Sequence, residues 1–196
     1  MAFLLALRIL IHDKGKLLTA LTGIGIAVLL MLVQLGFRNA IFDSSVQMID
    51  ALDADVVIMN KNKNVTLLPE SIPRERLYAA RSVRGVESAH SLWMTKVNWK
   101  NDQTGKEHPI RLIGVQPDEP VFVSKELVAQ QPLLRSPDTV LVDQKSRKEY
   151  GRLTPGPGQI GRRTIDIVGG FLMGTDFTTD GNVVTSTETY VSITRK

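Results

Sequence analysis

KGKLLTALTGIGIAVLLMLVQLGFRN, residues 14–39, carries no charged side chain from Leu17 to Phe37. Twenty-one helical residues at about 1.5 Å each cover roughly 31 Å, close to the ~30 Å hydrocarbon core of a bilayer. Twelve of the 21 are Leu, Ile, Val or Phe. On an insertion scale these contribute about −4 to −7 kcal/mol, so partition into a membrane is favoured. A secretory signal has a shorter apolar region, followed by small residues at its cleavage site. Here the run is longer, and Arg38 lies two positions before Ala40. The segment is therefore expected to be a retained transmembrane helix, residues 17–37.

Flanking charge sets the expected orientation. Arg8, Lys14 and Lys16 precede the span, whereas Arg38 is outnumbered after it by Asp43, Asp50, Asp53 and Asp55. Basic residues stay on the cytoplasmic side. The N-terminus is thus expected on the cytoplasmic side and residues 38–196 on the outer side. MAFLLALRILI is apolar nearly all round but too short to span. It is expected to be part of an interfacial helix, residues 1–16. Thr19, Gly23 and Ala27 recur every fourth residue, a stripe that allows a second helix to approach closely. Gly and Ala are common in any membrane helix, so the spacing alone does not require that use. Helical spacing of apolar residues continues past the membrane, and residues 38–53 are expected to form a stalk helix.

Beyond Phe37 there are 21 basic and 19 acidic residues, without a basic stripe, so nucleic-acid binding has little support. The chain has no cysteine, which excludes disulfides and thiolate metal sites. ADVVIMN predicts a short buried strand from residue 54. SIPRERLYAARSVRG predicts a helix, with Ser71 near its cap, Pro73 in its first turn and Gly85 past its end. VESAHSLWMTKVNWK alternates, placing Trp93, Thr95, Val97 and Trp99 on one strand face. NDQTGKEH is a turn and PIRLIGV a returning strand. Residues 54–120 are thus expected as a βαββ subdomain, and residues 121–186 as a smaller, β-rich second one, giving an α+β fold. TSTE at 185–188 has the spacing of a capping box from Thr185 to Glu188, near the end of the chain.

Candidate chemical motifs are sparse. GPGQIG at 156–161 has G-x-G-x-x-G spacing. A dinucleotide loop must follow a strand and open a helix, and Pro157 removes one of the N–H groups, so a tight loop before a strand is the simpler expectation. Asp176 and Asp180 in DFTTDGN lack calcium-loop spacing, and Asp180–Gly181 is expected to be a hairpin turn. His12, His90 and His108 form no ligand pattern. No catalytic, cofactor or metal residues are assigned, and nothing positively indicates an enzyme.

LALRILIHDKGKLLTALTGIGIAVLLMLVQLGF, DADVVIMNKN, TVLVDQKSRKEYG and GGFLMGTDFTTDGNVVTS together resemble, in order and spacing, the DevC-type permeases of MacB/FtsX-like ABC exporters. The resemblance runs from about residue 3 to 186. It implies a permease subunit whose first span runs into a periplasmic domain with a porter-like part and a smaller second part. It also implies a homodimer in the lipid bilayer, a separate ABC ATPase subunit, a periplasmic membrane-fusion protein, and export of a lipid or glycolipid. Members of this family continue into a returning stalk and three further spans. Residues 187–196 are therefore expected to be a truncated tail, and the chain half of a permease. A freestanding, single-span binding or sensor module is the alternative that the bare layout equally allows.

Overall fold

The computed structural model describes residues 12–60 and 72–195. The expected interfacial helix at 1–16 falls largely outside them, as does the Ser71 cap. The fold is mixed α+β, with one long apolar N-terminal helix and a β-rich remainder.

The chain divides into two compact units, residues up to Ser44 and residues from Ser45 onward. The first consists mainly of helix α1, Lys14–Asp50, which continues into the second unit. Among the described residues α1 is one helix long and apolar enough to cross a membrane, with a mean hydropathy of 2.2 over its most apolar stretch. Uninterrupted helical hydrogen bonding satisfies the backbone polar groups, as a spanning segment requires. The expected span and stalk are thus parts of one helix.

The second unit holds a closed, six-stranded barrel: β1 (Trp93–Lys100), β2 (Glu107–Val115), β3 (Thr139–Asp143), β4 (Gly156–Ile160), β5 (Arg163–Phe171) and β6 (Asn182–Ser186). The strand order is β1-β2-β6-β3-β5-β4. β2 runs parallel to β6, and β3 runs parallel to β5. The remaining neighbours are antiparallel. Strands from both sides of residue 120 interleave in this one sheet. The expected partition into 54–120 and 121–186 is therefore replaced by a single barrel.

Two apolar clusters stabilise it. One takes residues from all six strands, including Trp99, Leu112, Val142, Ile160, Ile165 and Val183, and fills the interior. The other covers the outer face of β2, β6 and β3. It joins Ile113, Leu141 and Val184 to Phe122, Leu127 and Met48. The middle strands therefore bury both faces, which explains why TVLVD reads as a continuous apolar run.

Helix α2 (Arg74–Arg81) forms where expected, although Pro73 at its cap position offers no side-chain acceptor. The β1–β2 hairpin is also as expected. Asn101 Oδ1 accepts from the amides of Gln103 and Thr104 and shapes its turn. Trp93, Val97 and Trp99 all pack on the interior cluster, while Met94 packs on the outer one.

Four local expectations are corrected. Residues 54–60 form no strand, and Val56 and Ile58 are 76% and 60% exposed. The barrel closes through Trp99 opposite Ile160 without needing that segment. GPGQI is strand β4 rather than a loop, and Gly161, at φ +57°, begins the turn into β5. Gly158 supplies space: a Cβ there would lie 2.8 Å from Ile165 Cδ1 and 3.1 Å from Trp99 Cη2. Pro157 is tolerated because β4 meets β1 only at Ile160, leaving that edge without a ladder to complete. The turn in DFTTDGN centres on Asp176–Thr179, and Gly181 keeps negative φ.

The fourth correction concerns the C-terminal residues. Helix α4, Thr187–Thr194, follows β6 directly, and its Tyr190 is buried against Trp93. The cap is Ser186, whose hydroxyl accepts from the Thr189 amide at 3.2 Å. Thr185 instead donates from within β6 to the Thr139 carbonyl at 2.8 Å. The expected tail is thus a capped, packed helix.

Candidate functional site

The stripe Thr19, Gly23 and Ala27 lies on exposed positions of α1. Thr19 returns its hydroxyl to the Gly15 carbonyl at 3.0 Å, so that polar group is already satisfied within the helix. A Cβ added at Gly23 would meet nothing within 4 Å. These residues leave room for a close neighbour, and none stands there among the described residues.

The most organised polar cluster lies where the last turns of α1 join the barrel. Met48 is buried in the outer cluster, and Gln47 Nε2 donates to the Met173 carbonyl at 3.0 Å. Leu52 bridges Phe122, while the amides of Asp53 and Val123 bond to Val121 and Ala51 carbonyls. The end of α1 is thereby sewn to the segment before helix α3 (Lys125–Gln130).

From Met173 a chain of hydrogen bonds crosses the outer face of β3, β6 and β2. Asp143, at the end of β3, accepts from the amides of Met173 (3.1 Å) and Gly174 (2.8 Å). It also accepts from Asn182 Nδ2 at 2.8 Å. Asn182 Oδ1 accepts from Arg111 on β2 at 3.1 Å. Arg111 Nη2 then pairs with Asp176 at 2.6 Å. The Arg111 and Asp176 side chains are only 3% and 4% exposed.

Burial pushes the Asp176 carboxyl upward. Hydrogen bonds from Thr178 and Arg111, with the guanidinium charge, outweigh it and hold the pKa below the ordinary carboxylate value. Asp176 Oδ1 also accepts from the Thr178 and Thr179 amides, so both oxygens are engaged. The carboxylates of this network are fully engaged, whereas Arg111 Nε is buried without a hydrogen-bond partner among the described residues.

The remaining titratable groups are dispersed. His90 Nδ1 lies 2.9 Å from Glu119, and His108 Nδ1 lies 4.0 Å from Glu149. Among the described residues no three His, Cys, Asp or Glu side chains converge on a metal position. Tyr150 donates to the Pro109 carbonyl at 2.7 Å, and burial drives its pKa up to about 12.

The network was missed in the sequence, though two signals for it were visible. Arg111 interrupts the apolar run PIRLIGV, and Asp143 closes TVLVD. A charge inside a strand buried on both faces needs a buried partner. No model of a known protein family matches the chain, and a search among characterised proteins returned no match.

Proposed function

We propose that the chain is a transport component: the permease-type part of an ATP-driven exporter of the MacB/FtsX-like kind. In this account α1 crosses the inner membrane with its N-terminus in the cytoplasm, and the barrel stands in the periplasm. A separate ABC ATPase moves the cytoplasmic end of the assembly. A second permease copy packs on α1, and a membrane-fusion protein receives the cargo, a lipid or glycolipid. The chain itself carries out no covalent chemistry.

One observation carries the proposal. The last turns of the membrane-length helix, from residue 45, pack on the barrel, with Met48 buried in the cluster on its outer face and Gln47 bonded to the loop that Asp143 holds. A flexibly tethered binding module needs only a linker there. A part that passes movement to an outer domain needs the chain entering that domain to be anchored in it, and residues 45–52 are.

The test is purification of the tagged chain from its own membranes after chemical crosslinking, with crosslinked peptides identified by mass spectrometry. The expected result is an ABC-type ATPase and a membrane-fusion protein crosslinked within one assembly. Crosslinks to a kinase or cyclase, without an ATPase of that type, would replace transport with the anchored sensor reading.

A further inference from the structure

Past the apolar span, α1 continues through residues 38–50. Gln47 and Met48 face the barrel there, Met48 in the outer cluster and Gln47 on the Met173 carbonyl. Phe42 and Val46 are instead 59% and 45% exposed, and Leu35, two turns before Phe42, is 48% exposed. Ile49 is half-buried. At about 100° per residue, the midline of Phe42 and Val46 lies opposite that of Gln47 and Met48. The helix thus turns one face to the barrel and leaves an apolar stripe on the other.

The stripe has the spacing of a coiled-coil seam, in alternating steps of four and three: Leu35, Asn39, Phe42, Val46, Ile49. Inside the bilayer any register is apolar, so the signal lies in residues 38–50. With Leu35, Phe42 and Ile49 at d, Asn39 and Val46 fall at a. A β-branched residue at a suits two parallel strands, and a single Asn at a fixes their register. Arg38 then falls at g and Asp43 at the following e, the positions that meet across a parallel pair. Their charges are opposite, so the helix complements a second copy of itself. Antiparallel pairing would set g against g and e against e, bringing like charges together.

We propose that two copies of the chain pair in parallel along this stripe as a short two-stranded coiled coil. Asn39 lies against the partner's Asn39, and each Arg38 lies beside the partner's Asp43. Arg38 already covers the Phe42 ring at 5.6 Å, so it flanks the seam. The barrel attachment at Gln47 and Met48 is on the far side of each helix and leaves the seam clear. Thr19, Gly23 and Ala27 fall at b, f and c of the same register, off the seam, and stay open to a different membrane helix. This pairing rests on the transport reading for its second copy and gives that copy a surface.

Oxidative crosslinking of single-cysteine variants of the full chain in its own membranes tests it, since the chain has no cysteine of its own. A disulfide needs Cα atoms within about 7 Å. Val46→Cys and Asn39→Cys, both at a, should each give a covalent dimer of the chain. Ala40→Cys, at b, and Gly23→Cys, on the small-residue stripe, should give little. Arg38→Asp should lower the Val46→Cys yield about two- to fivefold, the modest effect of exposed charge pairs, and adding Asp43→Arg should restore it. The proposal is overturned by no dimer from Val46→Cys, or by dimer as readily from Ala40→Cys or Gly23→Cys. Crosslinks from Val46→Cys to a different protein, or no rescue by the charge exchange, would overturn it too. Crosslinks to an ABC ATPase and a fusion protein are scored separately, so loss of the seam is distinguishable from loss of the transport reading.

Discussion

Arg111→Met should destabilise the barrel by about 3–5 kcal/mol, the range for removing one partner of a buried ion pair. Methionine retains much of the apolar stem, so lost packing is a minor part of the effect. The main loss falls on Asp176, which stays buried with its carboxylate uncompensated, and on Asn182, whose side-chain carbonyl loses its donor. For a domain of this size the expected fall in Tm is about 6–20 °C, measured by thermal unfolding of the full chain in detergent.

The pH dependence separates charge from packing. Asp176 has a depressed pKa in the folded protein, so its stabilising contribution is present above the unfolded carboxylate range and is lost as pH falls through the folded value. In Arg111→Met the carboxyl keeps its burial and loses the cation, so protonation relieves it. The gap between the two proteins should be widest near pH 7 and shrink below about pH 4. A gap independent of pH would mean that Arg111 acts through its shape alone.

Trp99→Ala should cost about 3–5 kcal/mol, as large aromatic truncations in cores do. Its indole fills the barrel interior, and its Nε1 donates to the Tyr150 carbonyl at 3.0 Å. Trp99 also faces Ile160 at the contact that closes β1 onto β4. Its removal therefore weakens closure as well as filling. Trp93→Ala should cost less, because Trp93 is only half-buried and its partners are Tyr190 and Arg74. Denaturant unfolding of the two variants orders them; equal costs would show that Trp99 does not seal the barrel.

These residues also show what was readable in the sequence. The alternation through Trp93, Val97 and Trp99 marked an interior face, because a half-buried strand has period two. Residues 17–37 declared themselves by length and absence of charge. The barrel did not, because its order depends on long-range pairing: β2 beside β6, and β3 beside β5, leave no periodic trace in either segment. VVIM at 56–59 has the composition of a buried strand, but composition cannot supply a neighbouring edge. At the C-terminus, Thr185 and Ser186 are both plausible caps by type, and β6 decides between them by using the Thr185 hydroxyl. The Arg111–Asp176 pair joins residues 65 apart in sequence, although each half of the cluster was locally anomalous.

The account depends most on α1 crossing the membrane and leaving the barrel on the side opposite its N-terminus. The chain has no cysteine, so single-cysteine variants Lys14→Cys and Lys106→Cys give an unambiguous labelling signal. Lys14 opens α1, and Lys106 lies exposed in the turn between β1 and β2. In intact spheroplasts treated with a membrane-impermeant thiol reagent, Lys106→Cys should label and Lys14→Cys should label only after permeabilisation. Labelling of Lys14→Cys in intact spheroplasts would contradict the account, whether Lys106→Cys reacts as well or stays protected.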